Sequence, residues 1–97
     1  MSDPDGKGWC VYILLCRSTY LYTGITKDIG KRLKEHEQGT GSRFVRSRLP
    51  FTLVLTMPCS SSREARSLEH RIKKMSRKKK TEFLGLADNH LISAVPR

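Results

Sequence analysis

The stretch from Trp9 to Ile25 limits the fold more than any other. WCVYILLC is an unbroken apolar run, RST interrupts it, and YLYTGI resumes a strand pattern, the signature of two strands joined by a short turn. With Arg17-Ser18-Thr19 as the turn, Cys16 faces Tyr20, Leu14 faces Tyr22 and Tyr12 faces Gly24. Side chains alternate between the faces of a strand, so Tyr12, Tyr22 and Gly24 share one face with the phenols on a diagonal. Two hydroxyls beside a glycine leave room for a ligand. Tyrosine is also a favoured strand residue that more often packs than reacts, so the hairpin alone defines only a candidate site.

A chain of 97 residues supports one domain with a modest core. The pattern predicts a polar leader at 1–8, a folded domain at 9–86 and a tail at 87–97. Lysine and arginine number 19 against 9 acidic residues, a formal charge of +10, so the partner expected is a polyanion. Nucleic acid is favoured over a membrane surface, because no basic stretch carries bulky aromatics on its other face. Cys10, Cys16 and Cys59 are odd in number and lack CxxC spacing, which speaks against a disulfide framework or a zinc ribbon and for a reducing compartment. The first residues lack a signal peptide's order and no apolar run reaches membrane-spanning length, so the expectation is a soluble, cytoplasmic protein.

After the hairpin, Thr26 or Asp28 can cap a helix that runs to about Gln38, with Gly39 and Gly41 ending it. Ile29 and Leu33 form its apolar stripe. Arg32 and His36, four apart, project beside that stripe and can be aimed at the two tyrosines. The segment GTGSRFVRSRLP mixes turn residues with Arg43, Arg46 and Arg48, and Phe44 anchors a short helical turn; these cations suit a phosphate backbone, or are simply solvated. FTLVLTM, residues 51–57, is a third strand bracketed by prolines. A further helix begins at Ser60–Ser62 with Ala65, Leu68, Ile72 and Met75 as its buried stripe. Glu69 lies next to that stripe, where a carboxylate needs a cation, a metal or hydrogen bonds; an isolated glutamate would more simply reach the surface and pair with a neighbouring base. Ser76 restarts a last helix in which Phe83, Leu84 and Leu86 pack back. Lys73, Lys74, Arg77, Lys78, Lys79 and Lys80 make a cationic run that repels itself unless phosphates meet it. Three strands with helices packed on them is an α+β domain.

VYILLC, LYTGIT, KRLKEH, GTGSRFVRSRLP and LEHRIKKMSR, in that order, resemble the GIY-YIG nuclease superfamily from about Trp9 to Leu84, in particular its small stand-alone bacterial members and the nuclease domain of structure-specific endonucleases. Each fragment is weak alone; the order and spacing are specific. The resemblance implies a small three-stranded antiparallel sheet flanked by helices, and a metal-dependent endonuclease hydrolysing DNA in repair or recombination. It implies Tyr12, Tyr22, Arg32, His36 and Glu69 as catalytic residues, with Glu69 holding Mg²⁺ or Mn²⁺ and Arg32 holding a phosphate oxygen. For the proton of the attacking water, Tyr12 and His36 are both candidates; the resemblance favours Tyr12, as base or as relay, with Tyr22 orienting water or phosphate. Cys10-Val11-Tyr12 replaces Gly-Ile-Tyr, Thr23 replaces the second motif's isoleucine, and a downstream asparagine of some members has no counterpart. The substrate expected is DNA, branched or flapped forms included, with RNA still open. The rival reading is a nucleic-acid-binding module that keeps fold and charge without cleaving; a third needs a protein partner, for which Leu84 to Ile92 is the surface to inspect.

Overall fold

The apolar run that starts at Cys10 becomes the middle strand of a three-stranded antiparallel sheet in the computed structural model, which describes residues 8–87. Along the chain the elements are β1 (Cys10–Cys16), β2 (Tyr20–Thr26), α1 (Ile29–Gln38), α2 (Arg43–Arg46), β3 (Phe51–Pro58), α3 (Ser62–Lys73) and α4 (Arg77–Ala87). The sheet order is β2-β1-β3, and β1 runs antiparallel to both neighbours. The expected leader and tail lie outside the described residues, apart from Gly8 and Ala87 at their inner ends. No helix among the described residues is long and apolar enough to cross a membrane.

The hairpin has the register its sequence requires: Tyr12 opposite Gly24, Leu14 opposite Tyr22 and Cys16 opposite Tyr20. Arg17 and Ser18 turn the chain at φ 53° and 60°, the left-handed region that non-glycine residues enter only in tight turns. The Thr19 N–H donates to the Cys16 carbonyl at 3.0 Å, and the Arg17 N–H to the Pro50 carbonyl at 2.8 Å, tying the tip to the chain entering β3.

β1 reads as an unbroken apolar run because both of its faces are covered. Val11, Ile13 and Leu15 form one core with Val54, Leu55, Ala65, Ile72 and Leu84. Tyr12, Leu14 and Cys16 form another with Val45, packed by the half-buried Tyr22, Ile29, Leu33 and Phe44. Helices α3 and α4 therefore cover one face of β1 and α1 and α2 the other. Between Ile13 and Leu14 the register with β3 slips, from Leu55 to Leu53; the extra residue, Val54, lets two consecutive side chains of β3 be buried.

Caps start the helices where polar side chains precede apolar periodicity. Asp28 accepts from the Lys31 N–H at 3.2 Å, and Gly39 at φ 83° ends α1. Ser61 accepts from the Glu64 N–H at 3.1 Å while the Glu64 carboxylate accepts from the Ser60 N–H, a reciprocal cap for α3. Phe83 and Leu84 of α4 pack against the first core as expected; the side chain of Leu86 lies outside the described part. Because Ile72 is fully buried between α3 and the sheet, Ile72→Ala is expected to lower stability by about 2–5 kcal/mol in urea unfolding.

Candidate active site

The site starts at one cross-strand pair. Tyr12 is 1% exposed, and a Cβ built on Gly24 would lie 2.6 Å from its Oη and 2.7 Å from its Cζ. The phenol of Tyr12 thus lies across the Gly24 backbone. This corrects the expectation of ligand room beside the glycine: the space exists, and the ring of Tyr12 itself fills it, since a residue without a side chain is the easiest place for a neighbouring ring to fold over.

His36 completes the arrangement. It falls at the third position of the α1 stripe after Ile29 and Leu33, and it is fully buried, so it lies within the stripe rather than beside it. Its Nε2 is 2.7 Å from Tyr12 Oη. Its ring centroid lies 5.7 Å from that of Tyr12, 5.4 Å from Tyr22 and 6.0 Å from Phe51. A Cβ on Gly41 would come within 2.8 Å of His36 Nδ1, so a second glycine seats the far side of the imidazole. Nδ1 is buried with no hydrogen-bond partner among the described residues. Burial holds the His36 pKa below its ordinary value, and the Arg32 guanidinium adds to this against a smaller opposing effect of Glu35. Burial also pushes the Tyr12 phenol far up; proximity to Tyr22 reinforces the rise and Arg32 opposes it without prevailing. Both partners are therefore neutral at pH 7, and Arg32 alone does not make Tyr12 a phenolate.

Tyr22 is half-buried, with its ring centroid 6.2 Å from that of Tyr12. Arg32 is 35% exposed, 3.5 Å from the Glu35 carboxylate, and lines a cleft of about 300 Å³ with Ile25, Thr26, Lys31 and Glu35. Tyr12, Tyr22, His36 and Arg32 are thus brought together. Glu69 is not among their contacts: its helix packs by Ala65 and Ile72 on the opposite face of β1, and its carboxylate is paired with Lys73 Nζ at 3.1 Å. No three His, Cys, Asp or Glu side chains cluster to hold a metal among the described residues.

Arg43, Arg46, Lys74, Lys78 and Lys79 are exposed, and Lys80 is half-buried. The Arg48 guanidinium lies 4.0 Å above the Phe44 ring and 4.9 Å from the Tyr20 centroid. Arg77 Nη1 donates to the Thr19 carbonyl. The sequence did not single out Tyr20, and it marked Gly41 only as a helix end, not as the seat of an imidazole.

A sequence model of the GIY-YIG catalytic domain matches residues 8–82, and the chain belongs to the GIY-YIG family, whose domains are nucleases acting on nucleic acid. Within that family its relatives are UPF0213 proteins. One from Bacillus velezensis is 41% identical over 73 residues, covering 75% of this chain and 74% of the relative. One from Halalkalibacterium halodurans is 42% identical over 76 residues, covering 78% and 81%. The solution NMR structure of a UPF0213 protein from Bacillus halodurans superimposes with a TM-score of 0.60 at 37% identity, covering 89% of this chain and 92% of that one.

Two outcomes follow from this packing. Gly24→Ala drives a methyl into the Tyr12 ring and is expected to cost about 1–3 kcal/mol in urea unfolding. An unfolded histidine takes up its proton near pH 6.5 while buried His36 resists it, so His36 contributes fully above that pH and its contribution is lost as pH falls below it. Stability measured from pH 7.5 down to 5 should drop by up to about 1.4 kcal/mol per unit more steeply for wild type than for His36→Gln.

Proposed function

We propose that the chain is a divalent-metal-dependent endonuclease hydrolysing phosphodiester bonds in DNA, in repair or recombination. The observation that carries this reading is the buried Tyr12–His36 contact at 2.7 Å with Tyr22 and Arg32 beside it, in a chain of a nuclease family.

The roles follow from exposure. Arg32, at the cleft and part-exposed, presents a guanidinium suited to a non-bridging phosphate oxygen and to the extra negative charge of the transition state. Tyr22, half-buried, orients phosphate or water. Tyr12 and His36, both closed off, act through that outer layer. With phenol and imidazole neutral, Tyr22 can take the proton of the attacking water and give its own to Tyr12 Oη while the Tyr12 proton passes to His36 Nε2, which needs no free phenolate. This favours Tyr12 as relay and His36 as the final acceptor.

Glu69 is the carboxylate assigned to Mg²⁺ or Mn²⁺. Its donor chemistry fits a hard cation, and one carboxylate suffices when water and the scissile phosphate complete the shell. When bound, the ion supplies Lewis-acid stabilisation of the phosphoryl group. The Lys73 ammonium that holds Glu69 is its competitor. Arg43, Arg46, Arg48, Lys74 and Arg77 to Lys80 serve as phosphate-backbone contacts, which position the nucleic acid and carry no base code.

The pairing of Glu69 with Lys73, away from the contacts of Tyr12 and His36, favours one second reading, a nucleic-acid-binding module that does not cleave. The two part company on Glu69→Ala: a nuclease loses metal-dependent cleavage while its DNA affinity stays within about 2-fold of wild type, because the phosphate contacts lie elsewhere. Cleavage that survives in Glu69→Ala removes Glu69 from the mechanism. Arg32→Lys is expected to lower kcat roughly 10²-fold, since an ammonium lacks the planar fork.

A further inference from the structure

The tip of the hairpin gathers cations that are distant in sequence around one aromatic ring. Tyr20, 42% exposed, is the exposed large hydrophobic residue among those described. Arg17 lies in the turn before it, Arg77 of α4 donates to the Thr19 carbonyl, and the Arg48 guanidinium lies over one face of its ring, 4.9 Å from the centroid, so that a base would stack on the other. The Phe44 ring meets Tyr20 edge-on at 6.4 Å, and the exposed Arg43 and Arg46 belong to the same short helix as Phe44. Arg48 is held in place as well as close: its Nη1 donates to the Phe44 carbonyl at 3.3 Å and to Ser47 Oγ at 2.9 Å. Cations brought this near to one another repel, and a polyanion relieves that repulsion.

An exposed ring inside such a cluster has a specific use. Bases stack on aromatic side chains whatever their sequence, while arginines track the backbone. Tyr20 is also joined to the site by ring contacts, since Phe44 stacks on Tyr22 at 5.8 Å and Tyr22 meets His36 at 5.4 Å. Tyr20 and Tyr22 are two residues apart on the same face of β2, about 7 Å along the strand. In a duplex both faces of a base are occupied by its stacked neighbours. Away from a duplex end, only an unpaired nucleotide can offer one to Tyr20.

We infer that Tyr20 is a stacking platform for an unpaired base, so that this domain engages nucleic acid with single-stranded nucleotides next to Tyr22. The inference rests on the reading of nucleic acid as substrate and goes beyond it by naming the substrate's form.

The test is equilibrium binding of the full chain in EDTA, where no cleavage intervenes. Four labelled probes of one length are used: a DNA single strand, the RNA strand of the same sequence, a blunt duplex, and a DNA strand of abasic sites. Tyr20→Ala should weaken binding to both base-bearing single strands by about 5- to 150-fold, change the duplex and the abasic strand by less than about 2-fold, and be rescued by Tyr20→Phe. Far-UV circular dichroism of both variants should match wild type, since the ring is exposed. Wild-type affinity of Tyr20→Ala for single strands overturns the platform alone, as does an equal loss on all four probes. Failure of wild type to bind any probe overturns the nucleic-acid reading with it.

Discussion

The hydrogen-bonding contact between Tyr12 and His36, 2.7 Å across a fully buried space, is the interaction around which the domain is arranged. Two polar groups deep in a core must satisfy each other or cost stability, and a short contact in a low-dielectric interior tolerates little displacement. Each neighbouring element can be read as serving it. Gly24 gives up a side chain so the phenol can lie across β2, and Gly41 does the same behind the imidazole. The Asp28 cap sets where α1 begins, and that start decides which residue reaches the sheet one stripe position after Leu33. β1, enclosed on both faces, holds the phenol in the most constrained strand of the sheet.

The sheet also divides the molecule by task. On the Tyr12 face lie the two buried groups that can move a proton, with Tyr22 and Arg32 between them and solvent. The other face is closed by Ala65, Ile72 and Leu84, and the Glu69 carboxylate of α3 is paired with Lys73. Burial sets the protonation of this pair more than any single charge does. It raises the Tyr12 pKa against the pull of Arg32 and lowers that of His36, so a neutral pair passing one proton inward is the economical arrangement.

Much of this was legible in the chain. An apolar run, a three-residue break and a period of two defined both strands and their register, because shifting the pairing by one residue would turn every inward side chain outward. Helix limits were visible to within about two residues, at Thr26 or Asp28, at Gly39 and within Ser60–Ser62, because caps are local chemistry; Asp28 and Ser61 are the residues that cap. What escaped were properties set by neighbours far along the chain. His36 was aimed at the tyrosines but set beside the stripe, because a histidine is not counted as part of an apolar one, yet a ring flanked by Tyr12, Tyr22 and Phe51 packs as one. Gly24 looked like an opening because sequence does not say whose ring will cover it. Tyr20 looked like any strand tyrosine, since Arg48 and Arg77 arrive from elements remote in sequence.

Whether the chain cleaves DNA is decided by incubating wild type with end-labelled single-stranded, duplex, flapped and branched DNA in Mg²⁺ or Mn²⁺, beside the same reactions in EDTA. Discrete cleavage products are expected on at least one substrate with a divalent ion and none in EDTA. Salt-sensitive binding to these DNAs with every strand left intact would contradict the nuclease reading and leave a binding module in its place.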